Sequence, residues 1–172
     1  MVITYLASYP RSGNTLLRII LSQCFGIATT SEYPESWDYL NGLLLEDSDS
    51  PYVKTHGLYD PRTMQGRHSY IERDREQVID SIYCHYAFRI SRKAIKQGQI
   101  AFGSHEYHVN SWRAANPLWL RFESLLSEET LWRVGDYIGR KQIAGLAAVP
   151  SFDELHEIDP AFFREGRGLR DV

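Results

Sequence analysis

The sequence predicts an α/β protein of three layers, in which helices flank a central, mostly parallel β-sheet. Two observations support this fold class. Short apolar runs bounded by turn residues alternate along the chain with longer segments whose apolar residues recur at helical spacing. In addition, a small polar loop joins the first apolar run directly to the first helical segment, as expected where a parallel strand turns into the helix that follows it.

Length and composition indicate one soluble domain over residues 1–172. Apolar residues make up 43% and charged residues 24%, ordinary values for a globular chain, and the net charge of −3 argues against a binder of duplex nucleic acid. No window approaches the ~20 apolar residues of a membrane span. The chain begins without a basic-then-apolar signal segment, so a cytoplasmic protein is expected, with Cys24 and Cys84 as reduced core thiols.

The first elements follow from local pattern. Residues 2–8, VITYLAS, form an apolar run of strand length, and residues 14–26 carry a broad apolar face closed by a glycine, which is typical of a helix. Residues 29–51 have turn residues at both ends and no clear period, so they are predicted to be irregular. Residues 52–56, YVKTH, are predicted as a short strand.

The later elements continue the alternation. Residues 68–73 are predicted as a strand, and residues 76–96 as one long helix because Ile79, Ile82 and Ile90 keep helical spacing. The rest of the chain is predicted as helix 107–115, strand 118–123 and helices 126–139 and 152–157. Ligands of such sheets bind outside the carboxyl ends of the strands, and three polar segments fall at those ends.

The first polar segment, YPRSGNT at residues 9–15, is built to hold an anion. Backbone amides of a first helical turn point at a bound anion, and Arg11 adds a full charge. The pattern differs from the ATP-binding P-loop, G-x-x-x-x-G-K-[ST], because Ser8 stands for the first glycine and Asn14 for the lysine. The residues therefore predict a phosphate cradle in a P-loop NTPase-like fold, but not a plain ATP loop. A purely structural turn is the alternative.

The other two segments carry a base and a second anion site. In a strand, Lys54 and His56 lie on the same side, and a histidine accepts protons near neutral pH. Arg73 ends a strand and Ser81 lies eight residues further on, so a guanidinium and a hydroxyl can converge on one phosphate. An exposed lysine beside a hydrogen-bonded histidine, and a solvated charge run, are the alternatives.

Together these segments resemble the sulfotransferases that use 3′-phosphoadenosine 5′-phosphosulfate (PAPS). YPRSGNT is similar to that family's 5′-phosphosulfate loop, KTH to the strand motif with its general base, and ERDREQVIDSIYCHY to its 3′-phosphate motif. The segments FGSHEYHVNSW, LWLRFESLL and SFDELHEIDPAFFREGRG resemble later parts of the family. The resemblance runs from Ile3 to Gly168.

The resemblance implies transfer of the sulfonate of PAPS to a hydroxyl or amine of an acceptor, in line and without a metal. His56 is then the general base, while Lys54 and Arg11 stabilise developing charge. The residues implied to bind the cofactor are Arg11, Ser12, Gly13, Asn14, Thr15, Arg73, Ser81, Phe152, Arg164 and Gly166, with Phe152 on the adenine and Arg164 and Gly166 closing over the 3′-phosphate.

Three departures from the family concern cofactor binding. Leu16 stands where the family often has a tryptophan, and Glu165 stands where it has a lysine. The glycine after the last loop comes one residue early, at Gly168, and the family's Gly-Asp-Trp ending is reduced to GLRDV. Two other functions remain open: a P-loop-type nucleotide or nucleoside kinase, against which Asn14 argues, and a non-catalytic nucleotide-binding module. The chain is short for the family in the segments that wall the acceptor site, which favours an open site for a large or exposed acceptor such as a glycan or peptide. A small-molecule acceptor is the other expectation. His108 is expected at a solvated helix position, with a place beside the acceptor as the alternative.

Overall fold

The computed structural model describes residues 2–33, 40, 42–86, 88–160 and 163. Its described strands form one parallel sheet in the order β2-β3-β1-β4-β5. The strands are β1 Thr4–Ser8, β2 Thr30–Ser31, β3 Tyr52–Thr55, β4 Arg67–Glu72 and β5 Leu118–Arg121. The helices are α1 Asn14–Phe25, α2 Arg75–His85, α3 Arg92–Lys96, α4 His105–Arg113, α5 Glu128–Ile138 and α6 Phe152–Ile158.

The sheet is covered by helices on both faces, which confirms the predicted three-layer α/β class. Alternation along β1 and β4 sends successive side chains to opposite faces. Leu6 and Ile71 pack into a core with residues of α1, α5 and α6, whereas Ala7 and Tyr70 pack with residues of α4. Strands buried on both faces read as continuous apolar runs, and for that reason residues 2–8 carry no polar alternation.

Helix α1 begins and ends at glycines in the left-handed region. Gly13 precedes its first turn with φ +99°, and Gly26 follows its last turn with φ +62°. The amide of Gly26 donates to the carbonyls of Leu21 and Ser22, which ends the helix where the sequence predicts. No helix among the described residues is long and apolar enough to cross a bilayer.

The predicted long helix over residues 76–96 is wrong, because the structure divides it into α2 and α3. Helix α2 ends at His85, and Phe88 adopts a positive φ of +64°. The hydroxyl of Ser91 then accepts from the amide of Ala94 and starts α3. The break folds the segment back, so that residues of α2 and Ile95 of α3 pack in one apolar cluster.

The irregular prediction for residues 29–51 misses the edge strand β2. Thr30 and Ser31 pair in parallel with Val53 and Lys54 of β3. A strand of two residues shows no alternation that a sequence pattern can detect. Its place at the edge of the sheet brings the following residue pair, Glu32 and Tyr33, beside the end of β3.

The register places the three predicted polar segments at one edge of the sheet. Ala7 of β1 lies opposite Thr55 of β3 and Tyr70 of β4. The loop after β1 therefore lies between the residue that follows β3, His56, and the residue that follows β4, Arg73. Parallel pairing of three neighbouring strands thus assembles the candidate site.

Candidate functional site

The loop between β1 and α1 has a sharply turned backbone with buried polar groups. Arg11 has φ +67° and Gly13 has φ +99°. The hydroxyl of Ser12 and the side-chain oxygen of Asn14 are buried without a hydrogen-bond partner among the described residues. A buried, unsatisfied hydroxyl costs free energy, and an anion above the first turn of α1 would satisfy it together with the helix amides.

The side chain of Asn14 braces the loop. Its Nδ2 donates to the carbonyl of Leu6 at 2.7 Å and to the hydroxyl of Ser8 at 3.3 Å. A P-loop lysine in this place would extend over the bound phosphates, whereas this amide points back to β1. Any contact between Asn14 and an anion in this geometry comes from its backbone amide.

His56 is held in one orientation. Its Nδ1 lies 2.7 Å from the carbonyl oxygen of Ser8, and its backbone amide donates to the hydroxyl of Tyr33 at 3.0 Å. The ring stacks on Tyr33, with centroids 5.6 Å apart, and meets the edge of Phe102 at 5.9 Å. Because a carbonyl oxygen only accepts, Nδ1 carries the proton, and the lone pair of the neutral ring is on Nε2.

The polar segment after β4 is joined to the loop after β1 by direct contacts. Arg73 donates from Nη1 to the carbonyl of Arg11 at 3.1 Å, and its guanidinium lies 4.0 Å from the centre of the Phe122 ring. Burial lowers the pKa of Arg73 from its ordinary value. Arg11 in turn donates from Nε to the hydroxyl of Ser81 at 3.1 Å. Both arginines and Ser81 therefore form one cationic group at the sheet edge.

Two cavities meet at the predicted catalytic residues. The first, of about 70 Å³, lies between the loop and three phenylalanines, and the second, of about 220 Å³, is mainly apolar and aromatic. Both are lined by Arg11, Lys54 and His56. A histidine and two cationic side chains on a wall common to two cavities are an arrangement that suits group transfer between molecules bound on either side.

Most of the predicted site residues come together in the first cavity. Its lining includes Arg11, Gly13, Asn14, Thr15, Lys54, His56, Arg73, Ser81 and Phe152. Ser12 is buried in the loop beside it. Arg164 and Gly166, like Glu165, lie outside the described residues, and their roles stay predictions.

Sequence reasoning missed several lining residues and misplaced one. Phe122 and Phe163 line the first cavity, while Tyr33 and Phe102 line the second. Phe122 had a detectable signal, because it lies near the carboxyl end of the predicted parallel strand 118–123. His108 is fully buried and contacts the backbone of His56, so the prediction of a solvated position is wrong.

A polar groove of about 700 Å³ lies outside the ends of β4 and β5. Four arginines and four carboxylates line it: Arg73, Arg75, Arg113, Arg121, Glu72, Asp74, Glu106 and Glu123. Their charges balance, so the groove does not indicate a ligand of either sign. Among the described residues, no three His, Cys, Asp or Glu side chains are grouped so that they could hold a metal ion.

Comparison with known proteins finds similarity in structure. No model of a protein family and no curated protein matches the sequence. The crystal structure of mouse sulfotransferase SULT7A1 complexed with PAP matches with a TM-score of 0.70 and 18% identity, over 96% of this chain and 75% of that one. The chain has the sulfotransferase fold.

Two structures of retinol dehydratase agree with this fold. The complex with androsterone and the inactive cofactor PAP matches with a TM-score of 0.66, and the complex with retinol and PAP with 0.65. Each is 16% identical and covers 95% of this chain and 73% of the other. The resemblance that the sequence motifs indicated is thereby confirmed in three dimensions, at the level of the fold.

Proposed function

We propose that this protein is a sulfotransferase that moves the sulfonate group of PAPS to the hydroxyl of a small acceptor. The main observation in support of this proposal is that the two cavities share one wall. There Arg11, Lys54 and His56 stand between an anion-binding loop and an aromatic cavity. A kinase is less well supported, because the Asn14 amide is bonded to Leu6 where a P-loop lysine would meet phosphates.

The residues in and beside the first cavity carry groups suited to the separate parts of the cofactor. The first turn of α1 and the unsatisfied hydroxyl of Ser12 suit the 5′-phosphosulfate. Arg73 and Ser81 suit the 3′-phosphate, and the rings of Phe122 and Phe152, 5.8 Å apart, suit the adenine. PAP was bound in the structures of mouse SULT7A1 and retinol dehydratase, which share this fold.

The chemistry assigned to the chain is proton removal and charge stabilisation. When bound, PAPS supplies a sulfonate group activated by its bond to the 5′-phosphate. Nε2 of His56 accepts the hydroxyl proton of the acceptor as the new oxygen–sulfur bond forms. Lys54 and Arg11 place positive charge where the sulfonate and the leaving phosphate oxygen gain negative charge. The products are the sulfated acceptor, PAP and a protonated His56.

The second cavity favours a small apolar acceptor over a glycan or peptide. It has a volume of about 220 Å³, and Tyr33, Ile82, Tyr86, Ile100 and Phe102 contribute to its walls. Such walls bury an apolar body, while His56 at one end meets a hydroxyl. Retinol dehydratase, a structural neighbour, was crystallised with androsterone and with retinol.

Calorimetry with PAP, AMP and ATP tests the cofactor. PAP is expected to bind at least tenfold more tightly than AMP, since each charge-assisted contact to the 3′-phosphate contributes roughly 1.5–3 kcal/mol. Arg73→Ala should remove that preference. Arg121→Ala, which changes an exposed arginine at the end of the neighbouring strand, should retain it. Tighter, Mg²⁺-dependent binding of ATP would instead support the kinase.

Release of PAP from PAPS, measured with a panel of phenols and apolar alcohols, tests the chemistry. His56→Ala should lower turnover about 10²–10⁴-fold, the usual contribution of a general base, and should leave PAP affinity nearly intact. Equal turnover by this variant and the wild type would refute the assignment of the base. Tight binding of PAP without turnover of any acceptor would favour a non-catalytic nucleotide-binding module.

A further inference from the structure

Helix α4 is bonded to the turn that carries His56. Nε2 of His108 lies 2.9 Å from the carbonyl oxygen of His56, and Nε1 of Trp112 donates to the carbonyl of Gly57 at 2.9 Å. The hydroxyl of Ser111 accepts from the amide of Tyr59 at 3.3 Å. One face of α4 thus makes three hydrogen bonds to residues 56–59.

These contacts complete the restraints on His56. Tyr33 binds its amide, Ser8 binds its ring Nδ1, and His108 binds its carbonyl. The groups come from the end of β1, the segment after β2 and helix α4, which are far apart in sequence. These restraints come from three directions and hold His56 at the wall that is common to the two cavities.

The hydrogen bonds also determine the tautomer of His108. The carbonyl of His56 only accepts, so Nε2 of His108 carries the proton, and its Nδ1 accepts from the hydroxyl of Tyr70 at 2.9 Å. His108 is fully buried, and the ring of Tyr9 meets it edge-on with centroids 5.3 Å apart. Burial favours the neutral ring that this arrangement requires.

We propose that His108 is a positioning residue for the transfer reaction. Its Nε2–H holds the backbone of His56, so that the lone pair of His56 stays directed at the acceptor hydroxyl. Its role in catalysis rests on the proposed function, whereas its effect on the orientation of His56 can be measured without any reaction. Small displacements of a base cost turnover, because proton transfer requires hydrogen-bond reach.

Two substitutions of His108 with side chains of similar size distinguish an effect on the position of His56 from an effect on the stability of the core. The amide nitrogen of His108→Gln can lie near the former Nε2 and donate to His56. The shorter side chain of His108→Asn ends near the former Nδ1, so it reaches Tyr70 but not the His56 carbonyl. Both variants lose the imidazole and should lose similar stability on urea denaturation. Only His108→Asn should lower kcat, by about tenfold or more, with KM and PAP affinity unchanged.

A proton NMR measurement reports the orientation of His56 directly. The Nδ1–H of His56, bonded to the carbonyl of Ser8, gives a downfield imidazole signal that is identified by its loss in His56→Ala. This signal should persist in His108→Gln and be lost or shifted in His108→Asn. An unchanged signal and kcat in both variants would refute the positioning role, as would equal losses of kcat that follow stability. If the wild type turns over no acceptor, the proposed function fails, and the NMR comparison still decides whether His108 positions His56.

Discussion

Gly13→Ala tests the close approach between the loop that joins β1 to α1 and the wall of the first cavity. A Cβ on Gly13 would lie 2.5 Å from Cδ2 of Phe122 and 3.2 Å from Cδ1 of Leu125. The ring of Phe122 cannot turn away freely, because it packs against the guanidinium of Arg73 at 4.0 Å and the edge of Phe152 at 5.8 Å. The added methyl group must therefore displace the wall of the cavity.

Two separate effects should destabilise the Gly13→Ala variant. A side chain at φ +99° costs about 1–2 kcal/mol in backbone strain, and forcing a methyl group into a packed contact costs about 1–3 kcal/mol. We expect Gly13→Ala to lower the free energy of unfolding by about 2–5 kcal/mol. Gly42 has a similar φ of +88° with nothing within 4 Å of a built Cβ. Gly42→Ala should therefore cost only the strain, about 1–2 kcal/mol.

Urea denaturation measures these differences, and calorimetry measures PAP binding in the same variants. Displacement of Phe122 moves Arg73, so Gly13→Ala should also weaken PAP binding at least tenfold, the loss of one charge-assisted contact. Phe122→Val removes the ring atoms that clash with the added methyl group. In the Phe122→Val background, Gly13→Ala should therefore lower the free energy of unfolding by no more than Gly42→Ala does in the wild type. Equal costs for the two glycine substitutions in the wild type would refute the close contact.

Two further predictions concern stability. Burial lowers the pKa of His108 from 6.5 to about 4, so the unfolded chain binds a proton between these values that the native state does not. His108 should therefore destabilise the protein by at most about 3 kcal/mol as pH drops from 6.5 to 4, and His108→Gln should remove this contribution from the slope in urea titrations at stepped pH. The guanidinium of Arg18, whose side chain is fully buried, lies 2.6 Å from Oε1 of Glu46. Glu46→Gln should lower the free energy of unfolding by about 1–3 kcal/mol. Glu76 forms an exposed pair with Lys96, so Glu76→Gln should lower it by less than about 1 kcal/mol. Equal losses in the two variants would contradict an effect of burial on the Arg18–Glu46 pair.

Local pattern sufficed for the fold class and for most of the site. The apolar run of residues 2–8, the glycine that ends α1 and the polar residues after β1, β3 and β4 all reflect interactions between near neighbours in sequence. Parallel pairing then places the ends of those strands at one edge of the sheet, whichever side chains fill the core. For this reason the sequence alone predicts that Arg11, His56 and Arg73 lie close together.

Contacts between segments that are distant in sequence determined the features that local pattern did not predict. The break between α2 and α3 depends on the packing of Ile95 back onto α2, which no helical period within residues 76–96 reveals. Phe102 enters the second cavity from a segment 46 residues beyond His56.

His108 shows most clearly what the sequence determined and what only the tertiary structure determined. By itself the sequence determined a histidine on an amphipathic helix, a pattern that also fits solvent exposure. Tertiary packing buried that helix face against Tyr9 and Tyr70 and brought its Nε2 within 2.9 Å of the His56 carbonyl. Periodicity along one segment indicates which face of a helix is apolar. The hydrogen-bond partner of a buried polar atom instead depends on strands and helices that are distant in sequence.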